Sequence, residues 1–436
     1  MTTHELLARD SAHLIHPLHN TPAHRNAKIW VKGQGALLTD TNGDEYIDGL
    51  AGLWNVLAGH GRAELAEAAR AQADTLAYVS GYTGSTNLQA IELAERLSTL
   101  TYSSINRFFF TCGGGEATES SIKMSRAYWK MRGKPGKTKV ISRIEGYHGV
   151  TMAAMSATGL NAYWPLFEPR VPGFIHIPSP YPYRYKAPAG ESQGIAAADE
   201  LEQAILREDP DTVAMFLAEP VQGAGGVIVP QDDYFPRIRE ICDRYNVLFV
   251  ADEVITGFGR TGEMFALNHW NIEPDIIQFA KAITSGYFPF GGIGINDAIA
   301  DTLNKADTPW MHAYTYSAHP VGCAVALRML QLINEEDFPE QAASKGHRLL
   351  HGLRSALAAH PHVGDIRGKG LMCAVEIVEN RETKKSFSPE QQIGIRVNQE
   401  AIARGLFSRI KGDSYLLAPP VVITDSQLDQ IVEILA

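Results

Sequence analysis

The sequence predicts an α/β protein: a large unit on a mostly parallel sheet, with a smaller α+β unit beside it. Three observations carry this. Between about 105 and 320, short β-branched and aromatic runs alternate with amphipathic helical stretches, as in a parallel sheet covered on both faces. After about 325 that alternation gives way to two long helical stretches and then short strand-like runs. At 436 residues and 45% hydrophobic content, the chain can bury a large core and more than one domain. The expected division is 60–325 for the large domain, with 1–59 and 326–436 together forming the small one.

The elements follow in order. Residues 28–50 read as short strands, with T-N-G-D as a hairpin turn. Residues 62–76 and 88–100 carry apolar residues at helical spacing. The runs R-F-F-F-T, T-K-V-I-S-R, T-V-A-M-F-L-A-E, V-L-F-V-A-D and D-I-I-Q-F-A read as buried strands. Residues 180–194, rich in Pro, Gly and Tyr, read as a surface loop. Helices are expected over 321–335 and 338–359, and short strands near 371–378 and 415–423.

Composition excludes several function classes. A net charge of −10 and a pI near 5.8, with no basic block, argue against a nucleic-acid partner. Cys112, Cys242, Cys323 and Cys373 are scattered, which argues against a disulfide framework or a zinc site and suits a reducing cytosol. The N-terminus lacks the apolar core of a signal peptide, and no apolar run approaches the ~18 residues of a membrane span. A soluble cytoplasmic protein without a membrane partner is expected. His13, His16 and His19 recur every three residues, but in a polar segment without a carboxylate partner, so no metal site is expected.

The candidate chemistry lies at two strand ends. V-L-F-V-A-D ends on Asp252, and D-I-I-Q-F-A-K ends on Lys281. Parallel strands joined by a crossover would bring both to one sheet edge, where open α/β sheets bind ligands. A Schiff-base lysine and an aspartate for a pyridinium nitrogen are the groups that pyridoxal phosphate needs from a protein. Asp252 ends a strand that reads as buried on both faces, where an unpaired carboxylate is costly and a cationic ring offsets the cost. T-C-G-G-G-E-A-T at 111–118 follows a strand and opens a helix, so Gly113, Gly114 and Gly115 suit a phosphate at a helix N-terminus. A tight strand-to-helix turn would look the same. E-G-Y-H-G at 145–149 offers Tyr147 as an aromatic to stack on a planar cofactor, with His148 beside it. The glycines of G-Y-F-P-F-G-G-I-G, after Lys281, are expected to let the chain pass close to the cofactor.

The blocks E-P-V-Q-G-A-G-G, A-D-E-V-I-T-G-F-G-R-T-G and F-A-K-A-I-T-S-G resemble the class III aminotransferases, and the resemblance runs over nearly the whole chain. It implies the aspartate-aminotransferase type of fold and pyridoxal phosphate as cofactor. It implies Lys281 as the Schiff-base lysine and proton carrier, and Asp252 as the partner of the ring nitrogen. Val254 and Tyr147 would cover the two ring faces, Gly114 and Gly115 the phosphate, and Glu219 would lie behind the cofactor. Thr315, in H-A-Y-T-Y-S-A-H-P, would reach the phosphate of a neighbouring subunit, so a homodimer with shared sites is implied. Relatives commonly carry serine at the position of Gly115, so one hydroxyl donor is missing here.

Within that family, Ala224 stands where ornithine and 4-aminobutyrate transaminases carry a second glutamate. Arg409, in R-G-L-F-S-R-I-K, resembles the mobile arginine of the ω-amino acid and amine:pyruvate transaminases, whose fork suits a carboxylate. Trp54 resembles that subgroup's pocket aromatic, and Tyr82 aligns with a residue lining the neighbouring subunit's pocket. The implied reaction is a two-stage transfer of an amino group from an amine or ω-amino acid to a keto acid such as pyruvate. An aminomutase, a racemase or a decarboxylase on the same scaffold is the alternative. A non-catalytic binding protein would be expected to lack Asp252 or Lys281. A nucleotide-binding α/β protein would carry a P-loop or dinucleotide fingerprint, and neither is present.

Overall fold

The computed structural model describes residues 1–20, 24–25, 27–82 and 84–436. Strands β1 (Trp30–Gln34), β2 (Leu37–Asp40) and β3 (Glu45–Asp48) form an antiparallel meander. The T-N-G-D turn closes its second hairpin. Asp40 Oδ1 accepts the N–H groups of Asn42 and Asp44 at 2.9 and 3.2 Å, and Gly43 takes φ +86°.

The central sheet contains β4 (Ile105–Thr111), β5 (Lys139–Arg143), β6 (Phe174–Ile177), β7 (Val213–Ala218), β8 (Leu248–Asp252), β9 (Ile276–Ala280) and β10 (Gly291–Asn296). Its order is β4-β10-β9-β8-β7-β5-β6. Neighbours from β9 to β6 run parallel, and β10 is antiparallel to both β9 and β4.

Side chains alternate between two cores along each central strand. On β7, Met215 and Leu217 join the core under helix Gly114–Met131, while Phe216 and Ala218 enter the larger core opposite. Leu248 and Val250 against Phe249 and Ala251 repeat this on β8. The period of two on an all-apolar strand is what a sheet buried on both faces requires.

Two of the glycines after Lys281 also make room inside the sheet. Gly292 and Gly294 lie inside β10. A Cβ there would fall 2.6 Å from Phe109 O and 2.6 Å from Ile105 Cγ2 respectively, so they make room within the sheet. Gly291 does approach the glycine turn, where its Cβ would lie 3.2 Å from the Gly113 carbonyl carbon.

Helices Pro320–Glu335 and Phe338–Leu357 lead to a second small sheet. Its strands are β11 (Val363–Lys369) and β12 (Met372–Ile377), followed beyond β13 (Leu406–Phe407) by β14 (Arg409–Lys411) and β15 (Ser414–Leu417), in the order β11-β12-β15-β14. β13 leaves this sheet and pairs parallel with β3 in the N-terminal one. The strand expected over 415–423 stops at Leu417, because Pro419 and Pro420 have no N–H to give a ladder. The chain beyond is held instead by Ala418 N to Gly49 O (2.7 Å) and Val421 N to Leu57 O (2.9 Å).

Residues 180–192 form a surface loop as expected, and it is pinned there: Tyr181 and Arg184 both bind Glu376 on β12, Arg184 Nε at 2.9 Å. One other expectation changes. The histidine tract does have a carboxylate partner, since His16 Nε2 lies 2.8 Å from Asp10 Oδ2 and its ring stacks 3.9 Å from that of His24. Among the described residues, no group of three or more His, Cys, Asp or Glu is arranged to hold a metal ion, and no helix is long and apolar enough to cross a membrane. The four cysteines are free thiols.

Candidate active site

Asp252 is the last residue of β8, and Lys281 directly follows β9. The strands pair in parallel with Asp252 opposite Gln278, so both residues stand at the carboxyl edge of the sheet. Lys281 takes φ +49° as it opens the 3₁₀ turn Lys281–Ile283. That left-handed geometry costs a non-glycine residue roughly 1–2 kcal/mol. Burial lowers the Lys281 amine below its ordinary pKa, while Asp252 and Glu219 pull against that shift. The result favours a neutral, nucleophilic amine more than exposure would.

Asp252 is buried and its oxygens are taken by different partners. Oδ1 accepts the Val254 N–H at 3.1 Å, and Oδ2 lies 2.7 Å from His148 Nδ1. His148 is itself buried and fixed. Its N–H donates to Thr158 Oγ1 at 2.9 Å, and its carbonyl accepts from Thr118 Oγ1 at 2.7 Å. Sequence reasoning named His148 only as the neighbour of Tyr147; nothing in its position along the chain marks Asp252 as its partner.

The loop carrying Tyr147 is held by Glu219, just past β7. Glu219 Oε1 accepts the Tyr147 N–H at 3.0 Å, and Oε2 accepts Gly223 N–H at 2.8 Å. Burial raises the Glu219 carboxyl above its ordinary range, and Asp252 adds to this against His148. Burial also raises the Tyr147 hydroxyl, together with Tyr163 and against Arg409. Arg409 is exposed on β14, the edge strand of the C-terminal sheet, and its guanidinium reaches Tyr147 electrostatically. Two residues on, Lys411 Nζ lies 2.7 Å from Glu145 Oε1 and ties β14 to the Tyr147 loop.

Gly114 and Gly115 open helix Gly114–Met131, whose first-turn N–H groups have no partner within the helix. A Cβ on Gly114 would fall 2.9 Å from Val254 Cγ1, so the glycine turn and Val254 lie in contact. Gly115 has room, with Thr151 Cγ2 nearest at 3.9 Å. The adjacent Cys112 thiol is pushed up to about 11 by burial and by Glu116, which disfavours a thiolate nucleophile.

Trp54 is buried in the larger core with φ +61°, in a segment whose Ala58 N–H donates to Ser285 Oγ at 2.9 Å, four residues past Lys281. The surface segments that carry Tyr82 and Thr315 run close together. Both are exposed, Tyr78 Oη donates to Thr315 O at 2.7 Å, and a Cβ on Gly81 would lie 3.5 Å from Ser317 O.

A lysine and a buried, hydrogen-bonded carboxylate at one sheet edge, beside a helix N-terminus opened by glycines, form a donor set that fits pyridoxal phosphate. The Aminotransferase class-III family model matches residues 20–436. A putrescine–pyruvate aminotransferase of Pseudomonas aeruginosa is 39% identical, over 94% of this chain and 89% of its own. A thermostable (S)-enantioselective ω-transaminase from Thermomicrobium roseum is 45% identical and superposes with a TM-score of 0.96, over 100% of this chain and 98% of that one. An amine transaminase from an uncultivated Pseudomonas species, solved in its PLP-bound form, is 38% identical with a TM-score of 0.93, over 97% of each chain. The chain therefore belongs to the class-III aminotransferases and is a pyridoxal-phosphate-dependent transaminase.

Proposed function

We propose that this enzyme takes an amino group from an amine or ω-amino acid and delivers it to a keto acid, with pyruvate as the acceptor, by a ping-pong mechanism. The observation that carries this reading is Arg409, on an edge strand within electrostatic reach of Tyr147 and tied to its loop through Lys411 and Glu145. An arginine there can hold a keto-acid carboxylate bidentately and turn to solvent when an uncharged amine tail arrives. The activities of similar proteins, putrescine–pyruvate aminotransferase and ω-transaminase, point the same way.

When bound, pyridoxal phosphate supplies an aldehyde for Schiff-base chemistry and a protonated ring that accepts electron density from the substrate carbon. Lys281 Nζ holds the cofactor between turnovers. With the cofactor bound and its own link to it exchanged for the substrate amine, Lys281 Nζ would be the base that takes the proton from the carbon bearing the amino group and the acid that gives it back. Burial lowers its pKa, which favours the neutral amine that a base requires. Asp252, oriented through Oδ2 by His148 and through Oδ1 by the Val254 N–H, is the carboxylate that would keep the ring nitrogen protonated. Val254 and Tyr147 would flank the ring and the turn at Gly114 and Gly115 would receive the phosphate, while Glu219 holds the Tyr147 loop through the Tyr147 N–H. Trp54 would line the substrate pocket, and Tyr82 that of the neighbouring subunit.

The enzyme works as a homodimer, with Thr315 contributing to the partner's site. The surface around Thr315 supports this: Tyr82 is 54%, Tyr316 58% and Met311 83% exposed, apolar side chains that a second copy would cover. Four free thiols suit a cytoplasmic enzyme.

The visible spectrum of the PLP-loaded protein tests this reading. The absorbance should bleach when a simple amine is added and return when pyruvate follows, and Lys281→Ala should abolish that cycle and lower turnover at least ~10³-fold. A spectrum that bleaches with amine but ignores pyruvate would remove pyruvate as acceptor. Turnover retained in Lys281→Ala would remove the role given to that lysine.

A further inference from the structure

Residues 49–59 leave the N-terminal sheet and return to it as a closed loop, with Trp54 at its middle. Both ends are pinned. Asp48, the last residue of β3, donates its N–H to Ala36 O at 2.8 Å. His60 exchanges backbone hydrogen bonds with Gly35 at 2.8 and 2.9 Å. His60 Nε2 donates to Asp48 Oδ2 at 2.8 Å and so closes the loop at its base.

The first half of this loop is strained. Ala51 takes φ +49°, Gly52 +70° and Trp54 +61°, so two residues with side chains occupy the left-handed region close together. Such geometry persists only where the surroundings over-determine it, and it gathers at functional sites. Asp48 supplies that constraint. Its buried carboxylate accepts the Leu50 N–H at 3.2 Å through Oδ1 and the Gly52 N–H at 2.7 Å through Oδ2, in addition to His60. Arg260, a buried guanidinium in the loop that follows Asp252 and Val254, lies within electrostatic reach of Asp48 and balances its charge. The second half of the loop packs on the segment opened by Lys281. Ala58 N–H donates to Ser285 Oγ at 2.9 Å, and a Cβ on Gly286 would fall 3.3 Å from Asn55 Cγ.

We propose that Asp48 and His60 are positioning residues for substrate choice: they hold Trp54 as a fixed wall beside the Lys281 segment and so limit the size of the amine donor. The inference rests on the reading of Trp54 as a pocket residue. Neither Asp48 nor His60 needs to touch the substrate. Without its clamp the left-handed turn relaxes toward ordinary backbone, and the indole that it carries gives way to a larger donor.

The test compares a small donor, 2-aminopropane, with a bulky one, 1-phenylbutylamine. The quantity measured is the second-order rate constant at which each amine bleaches the absorbance of the PLP-loaded enzyme, which requires no keto acid. His60→Ala should raise the bulky-to-small ratio at least about fivefold. Asp48→Asn should raise it at least as much, since an amide has one accepting atom for three donors; if that variant does not fold, His60→Ala decides. Trp54→Ala should raise the ratio by itself. Adding His60→Ala to Trp54→Ala should then change it by less than about twofold, because the ring that the clamp places is gone. Equal losses for both amines in His60→Ala, with the ratio unchanged, would show a merely structural pair and overturn the proposal. So would a fivefold effect of His60→Ala that persists without the indole. A ratio untouched by Trp54→Ala would instead refute the pocket role of Trp54, and this inference with it.

Discussion

His148 Nδ1 and Asp252 Oδ2 lie 2.7 Å apart with both side chains buried. The pair joins the loop after β5 to the end of β8 and leaves Asp252 little freedom to rotate. Because Thr158 Oγ1 and Thr118 Oγ1 anchor the His148 backbone at 2.9 and 2.7 Å, the orientation is set from outside the site. His148→Ala should lower kcat/KM about 10- to 100-fold, the cost of leaving a buried carboxylate oxygen short of a partner. His148→Gln, which can still donate, should recover part of the loss. Equal defects in both variants would mean that the ring packs rather than positions.

Arg409 should matter to one half of the reaction. Arg409→Ala is expected to raise KM for pyruvate about 10- to 100-fold, as for loss of a charge-assisted pair, while an uncharged amine donor changes within about threefold. Lys411→Met should move the same parameter less, by loosening β14 from Glu145, 2.7 Å from Lys411 Nζ. Equal losses for both substrates in Arg409→Ala would sink the role.

Neighbouring glycines should respond in opposite ways. Gly115→Ser has space, with the nearest atom to a new Cβ at 3.9 Å, and adds a donor at the helix N-terminus. Its PLP dissociation constant should fall, by up to about tenfold. Gly114→Ala would press a methyl to 2.9 Å from Val254 Cγ1 and should raise the same constant. Equilibrium dialysis of PLP from the two variants reads both effects.

Lys137 is a buried lysine away from the site, only 1% exposed, with Nζ donating to Pro210 O, Val213 O and Asn246 O at 2.8–2.9 Å. Lys137→Met should lower stability by about 2–4 kcal/mol in a denaturant titration, since three buried carbonyls lose a charged donor. Burial lowers its pKa to about 8 from an ordinary 10.5. Between those values the unfolded chain binds more protons than the native one, so this group's contribution to stability rises with pH across that window and is flat below it. The stability difference between the unmodified enzyme and Lys137→Met, measured from pH 7 to 10.5, should widen accordingly. A difference that shrinks over that range would show that the carbonyls, not burial, set the protonation of Lys137.

Much of the architecture was legible locally. V-L-F-V-A-D and D-I-I-Q-F-A became β8 and β9, Leu248–Asp252 and Ile276–Ala280, because an apolar β-branched run carries its own strand signal. The helices beginning at Ala63, Leu88, Pro320 and Phe338 start within about a residue of their expected places, since helical periodicity is also a local property. The order glycine turn, Tyr147, Asp252, Lys281 was likewise readable, because each stands at the end of such an element.

What the sequence alone determined, then, was the kind and order of elements, and the residue types delivered to their ends. Only the tertiary structure decided which distant groups meet. It paired His148 with Asp252, set Gly114 against Val254, tied Lys411 to Glu145, and turned Gly292 and Gly294 into packing space for β4. It also pinned the 180–194 loop to Glu376 and gave His16 its Asp10 partner. Periodicity is encoded over a few residues and survives in any context. Contacts between residues a hundred positions apart depend on strand order and on which face each strand presents, and these follow from burying the whole chain at once.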